Sequence, residues 1–106
     1  MQPYGSSWKD ALALMHKRHA LFTEIVKDYS SFDDFLLDWD EKMALFGVEA
    51  TQGENGITLY LLLDYTKYEY YGIGMGKDGH LEVDPIVTWN YLGSTTDTNI
   101  FTNEDV

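Results

Sequence analysis

From Trp8 the apolar residues recur at Leu12, Met15, Phe22, Val26 and Tyr29. At about 100° per residue these positions fall within one arc and predict an amphipathic helix. Leu14, Leu21 and Ile25 widen the arc, so this helix is expected to pack on more than one side. Ser7 stands where a cap belongs, with Asp10 three residues on. A second helical period runs through Phe32, Phe35, Leu36, Trp39, Met43 and Phe46. Ser31 is its expected cap, Asp33 and Asp34 its first-turn acids, and Gly47 its stop.

Beyond residue 50 the period changes. The segment 51–56, TQGENG, reads as a turn or short loop. Ile57 to Asp64 is a nearly continuous apolar run, as in a central strand. Tyr65-Thr66-Lys67 is either a tight connection or more strand. Tyr68 to Met75 is a tyrosine-rich strand, and Gly76-Lys77-Asp78-Gly79 signals a hairpin. His80 to Asp84 alternates, Pro85 interrupts, and Ile86 to Leu92 is a last strand. The expected fold is α+β: two N-terminal amphipathic helices packed on a three- to four-stranded antiparallel β-meander. Residues 1–106 form one domain in this reading, with 1–6 and about 94–106 loosely ordered apart from Ile100 and Phe101 docking back.

Charge adds a feature that the pattern alone does not show. Eighteen acids stand against seven bases, a net charge of −11. Residues 1–27 carry a net of +2 and residues 28–106 a net of −13. Such a field repels nucleic acid and anionic lipid and attracts basic surfaces. The absence of cysteine excludes disulfides, zinc–thiolate sites and cysteine nucleophiles, and fits a cytoplasmic location. The N-terminal segment does not resemble a signal peptide, and the longest apolar run, Leu59–Leu63, is far short of a membrane span.

Candidate chemistry is sparse. Asp38-x-Asp40 with Glu49 imitates the opening and close of a calcium loop, but Met43 stands where glycine is required and the segment is helical. His16 and His19 are three apart, yet His19 lies within the apolar arc, as a partly buried structural histidine would; Arg18 flanks the same arc and is expected to pair with a sheet carboxylate. The glycines of 72–76 lack phosphate-loop spacing. His80 with Asp78, Glu82 and Glu69 is the one set resembling acid–base machinery, and the exposed side of a hairpin carries such residues without chemistry. No catalytic residue, cofactor or metal site is therefore assigned.

The leading expectation is a non-enzymatic, DNA-mimic or immunity-type module. It would inhibit a basic protein such as a nuclease or nucleic-acid-binding protein, without touching nucleic acid or membrane itself. Asp33, Asp34, Asp38, Asp40 and Glu41 line the second helix with little local compensation, and like charges at such spacing cost about 0.2–0.5 kcal/mol per pair. They are the expected charged contacts, with Tyr68, Tyr70 and Tyr71 as aromatic anchors. Two other readings stand beside this one. One is a small enzyme or ligand-binding domain with a pocket lined by Trp39, Trp89, Tyr91 and His19. The other is a homo-oligomeric building block using the broad first helix.

Overall fold

A computed structural model of the chain describes residues 8–43, 48–53, 56–64, 67–91, 94–102 and 104–105; the side chains at 8–9, 40–43, 63–64, 91 and 104–105 are not among those described. The elements are α1 (Trp8–Val26), α2 (Phe32–Met43), β1 (Val48–Gly53), β2 (Gly56–Asp64), β3 (Lys67–Met75), β4 (Leu81–Tyr91), β5 (Ser94–Asn99) and β6 (Glu104–Asp105). The expected α+β order holds. The sheet is larger than expected: one antiparallel meander in the order β1-β2-β3-β4-β5-β6, with β6 only two residues long. None of its described helices is long and apolar enough to cross a membrane.

Helix α1 buries Leu12, Met15, His19, Phe22 and Val26, alternating steps of three and four that keep one stripe against the sheet. The wider arc is not fully used, since Leu14 and Leu21 stay 46% and 38% exposed. At the start of α2 the Asp34 amide donates to Ser31 Oγ at 3.1 Å, the cap that the spacing predicts. Phe35 is buried there, edge-on to Tyr29 and Trp39. The predicted stop at Gly47 and the Ser7 cap lie outside the described residues.

On the sheet, burial alternates with the pleat. Ile57, Leu59, Glu69, Tyr71, Ile73, Leu81, Val83, Val87 and Trp89 are buried, and the apolar ones form a single core with α1 and α2. Between β3 and β4 the 76–79 turn closes as predicted, with Gly76 N donating to His80 O at 2.8 Å and Gly79 at φ 83°, a left-handed conformation that suits glycine. The two runs around Pro85 are one strand. The register against β3 shifts between Tyr71 and Ile73, and Pro85 sits at that bulge, where an interrupted ladder has no need of its missing N–H.

Two strands were hidden by their polarity. β1 pairs with β2 from Val48↔Leu61 to Gly53↔Gly56, so Thr51, Gln52 and Gly53, read as part of a turn or short loop, belong to a strand. Only Val48 in β1 is buried, which leaves little apolar alternation to read. β5 has no aliphatic or aromatic residue, and the segment from Ser94 expected to be loose is instead paired with β4. What holds it is Thr98, buried and accepting a 2.8 Å hydrogen bond from Trp89 Nε1, followed by fully buried Ile100. The expected docking of Ile100 is met, whereas Phe101 stays 68% exposed with its ring edge-on to His19.

Candidate partner-binding surface

The helices cover one face of the sheet, and no described element covers the other. The pairing registers align Glu49, Tyr60, Tyr70, Thr88 and Asp97 in one row across β1 to β5 on that open face. Tyr60 meets Tyr70 edge-on at 5.4 Å, and Tyr70 stacks on Tyr68 with ring centroids 4.7 Å apart and planes at 29°. All three rings are partly exposed. Tyr60 donates to Glu49 Oε2 at 2.6 Å, and Thr88 donates to Asp97 Oδ1 at 2.6 Å. The Tyr68 hydroxyl shares a 3.1 Å hydrogen bond with Thr95 Oγ1. The hydrogen bond to Glu49 pushes the Tyr60 phenol above its ordinary range.

Two further carboxylates lie along the same face. Asp84 reaches over Gly72, where a Cβ would come within 2.7 Å of its oxygen, and Glu82 lies over Gly76 in the same way. Thr51, Thr58 and Leu62 complete the exposed side of β1 and β2, with Leu62 56% exposed. Among its described residues the face holds no Lys or Arg. It is an aromatic floor with a rim of negative charge, able to take a cation against a ring or beside a carboxylate.

Of the predicted anchors, Tyr68 and Tyr70 lie on this floor and Tyr71 does not. Strand alternation turns Tyr71 inward, where it is 0% exposed and packed edge-on against Phe22. Its hydroxyl donates to Glu69. Glu69, 1% exposed, also accepts from Arg18 Nη1 at 2.5 Å, the sheet carboxylate expected for Arg18. Burial, then the charge of Glu69, push the Tyr71 phenol far above its ordinary range. Burial works against the Arg18 charge, but its hydrogen bond and attraction to Glu69 outweigh that and raise its pKa.

The predicted acidic stripe is only partly free. Asp33 and Asp34 are exposed in the first turn of α2, where the helix dipole favours them. Asp38 is exposed but accepts a 2.9 Å hydrogen bond from the Tyr29 hydroxyl, a structural task. Asp40 and Glu41 lie on α2, with their side chains outside the described residues. Sequence reasoning missed Glu49, Asp97, Glu82 and Asp84 as contacts. For Glu49 and Asp97 the missing signal was the alternation of β1 and β5, and neither segment reads as a strand.

The enzyme-like constellations do not assemble. His80 sits exposed at the hairpin, with Nδ1 3.8 Å from Asp78, while Glu69 is in the core on the opposite side of the sheet. His19 is buried and donates from Nε2 to the carbonyl of Val83 at 3.1 Å. No cluster of metal-binding side chains is present among the described residues. The predicted pocket residues His19 and Trp89 are packed into the core, and Trp39 packs against it. The described hollows lie elsewhere: a recess of about 280 Å³ beside Arg18, Leu21 and Leu61, and one of about 320 Å³ at the start of α2 beside Gln52 and Met75.

No family model matches this chain, and searches of curated proteins and of solved structures likewise found no match.

Proposed function

We propose that this chain is a non-enzymatic binding module that docks on a basic protein, such as a nuclease or another nucleic-acid-binding protein, and thereby neutralises it in the cytoplasm. The observation that carries this reading is the open sheet face: partly exposed tyrosines beside Glu49, Glu82, Asp84 and Asp97, with no Lys or Arg among its described residues. Such a surface offers carboxylates where a basic cleft would otherwise meet phosphates. The net charge of −11 speeds encounter with a basic surface, and the aromatic floor supplies contact area that salt does not screen. The sheet face is the principal contact in this reading and the α2 acids are secondary, since Asp38 is already engaged by Tyr29.

The test is affinity capture from the native host at low and moderate salt. The captured protein is identified by mass spectrometry and the complex reassembled from pure components. A basic partner is expected, its activity on nucleic acid or another anionic substrate suppressed in the complex. Glu49→Gln with Asp97→Asn should weaken the complex more than Asp33→Asn with Asp34→Asn. Absence of any basic partner overturns the reading. Loss of binding with the α2 variant alone would move the contact to that helix.

A further inference from the structure

We propose that the open sheet face selects arginine side chains over other cations, an inference that rests on the basic-partner reading above. The row from Glu49 to Asp97 crosses four strand spacings. At ~4.8 Å per spacing it runs roughly 19 Å from one carboxylate to the other. Between them stand the Tyr60, Tyr70 and Tyr68 rings. Two of the three hydroxyls are engaged: Tyr60 with Glu49, Tyr68 with Thr95. Those hydrogen bonds hold the Tyr60 and Tyr68 rings in place, each partly exposed on the open face. Glu49 is bonded through Oε2 and Asp97 through Oδ1, so each carboxylate keeps a second oxygen for a donor.

This pairing of ring and carboxylate suits a guanidinium. The group is planar and weakly hydrated, and it stacks on an aromatic face while its edge donates to a carboxylate. A lysine ammonium is compact and strongly hydrated, and it gains mainly from the charge. A second copy of this chain is a poor occupant, because it would bring another −11 against the same acids. Nucleic acid is opposed by the same charge.

The test uses the whole chain and two probes: a peptide alternating arginine with glycine, and its lysine counterpart of equal charge. Titration calorimetry and amide chemical shifts are followed at moderate salt. The arginine peptide should bind about two- to fivefold more tightly, the range of an exposed ring–cation contact. Its shifts should centre on Tyr60, Tyr68 and Tyr70. Tyr68→Leu with Tyr70→Leu keeps apolar bulk but removes two of the three ring faces, and should narrow the difference between the two peptides. If that pair loses its dispersed amide spectrum, Tyr70→Leu alone carries the comparison. Glu49→Gln with Asp97→Asn should weaken both peptides. Equal affinities in the unaltered protein, with shifts still on this face, would overturn the arginine preference and leave the basic-partner reading standing. No shifts on this face with either peptide would overturn both.

Discussion

Replacing Arg18 by methionine isolates the one buried charge that the described core contains. Glu69 is 2% exposed at its side chain and accepts from Arg18 at 2.5 Å and from the Tyr71 hydroxyl. Methionine keeps the apolar stem packed in α1 and removes the cation, so Glu69 is left charged with one neutral donor. Stranding one member of a buried pair costs about 3–5 kcal/mol. Arg18 itself is 21% exposed, so water reaches its side of the pair, which puts the cost near the lower end, about 3 kcal/mol. Against a domain stability of about 5–15 kcal/mol this is a large fraction. It corresponds to a fall in Tm of roughly 10–20 °C. Urea unfolding followed by the fluorescence of buried Trp89 measures it. Adding Glu69→Leu removes the stranded charge and should recover most of the loss, a strongly non-additive pair. A loss below about 1 kcal/mol for Arg18→Met, or a double variant as unstable as the single, would refute the reasoning.

Two further outcomes follow from the same geometry. The Tyr71 phenol is held above its ordinary range in the folded protein, so the unfolded chain ionises first; stability should be intact below about pH 10 and fall as pH rises beyond it, and Tyr71→Phe should flatten that alkaline slope in urea midpoints while costing about 1.5–3 kcal/mol at neutral pH. Gly56→Ala would place a Cβ 2.1 Å from the Ile73 carbonyl oxygen and should destabilise the β2–β3 pairing by more than 1–3 kcal/mol, whereas Gly74→Ala meets nothing within 4 Å and should be close to neutral; thermal melts of the two variants distinguish them.

The helices and the central strands were legible because they bury continuous apolar patterns. α1 shows its stripe from Leu12 to Val26, and β2 and β4 carry Ile57, Leu59, Val87 and Trp89. The outer strands were not, because an outer strand has less apolar surface to contribute. Besides its ladder with β4, β5 is tied to the core by the buried Trp89–Thr98 hydrogen bond and by Ile100 beyond its end, relations between residues far apart in character and invisible to a periodicity. The candidate site inherited that blindness. Tyr68 and Tyr70 could be named from their strand, but the carboxylates at either end of their row belong to the two strands that polarity concealed. Counting acids pointed to the densest cluster, on α2, where at least Asp38 is tied to Tyr29.

The four residues Tyr68-Glu69-Tyr70-Tyr71 join the core to the surface. Their alternation sends Tyr68 and Tyr70 to the open face, and Glu69 and Tyr71 to the helices. The residue types scarcely enforce this order, since tyrosine is acceptable on either side of a sheet. A slip of one residue against β2 and β4 would send Tyr68 and Tyr70 inward and bring Glu69 out, removing the aromatic floor without any change in composition. Arg18 opposes the slip. It reaches from α1 to the carboxylate at position 69; in the slipped register it would face a tyrosine ring and stay half-buried without that counter-ion. Apolar residues at both 18 and 69 would be about as stable in the native register, yet they would leave the two registers closer in energy. The buried ion pair is thus explained better by the specificity of the strand's facing than by stability. The double variant Arg18→Met with Glu69→Leu can therefore be as stable as the unaltered protein and still show exchange between registers in the β3 amide resonances. A single sharp set of β3 resonances in that variant would separate the pair from register choice.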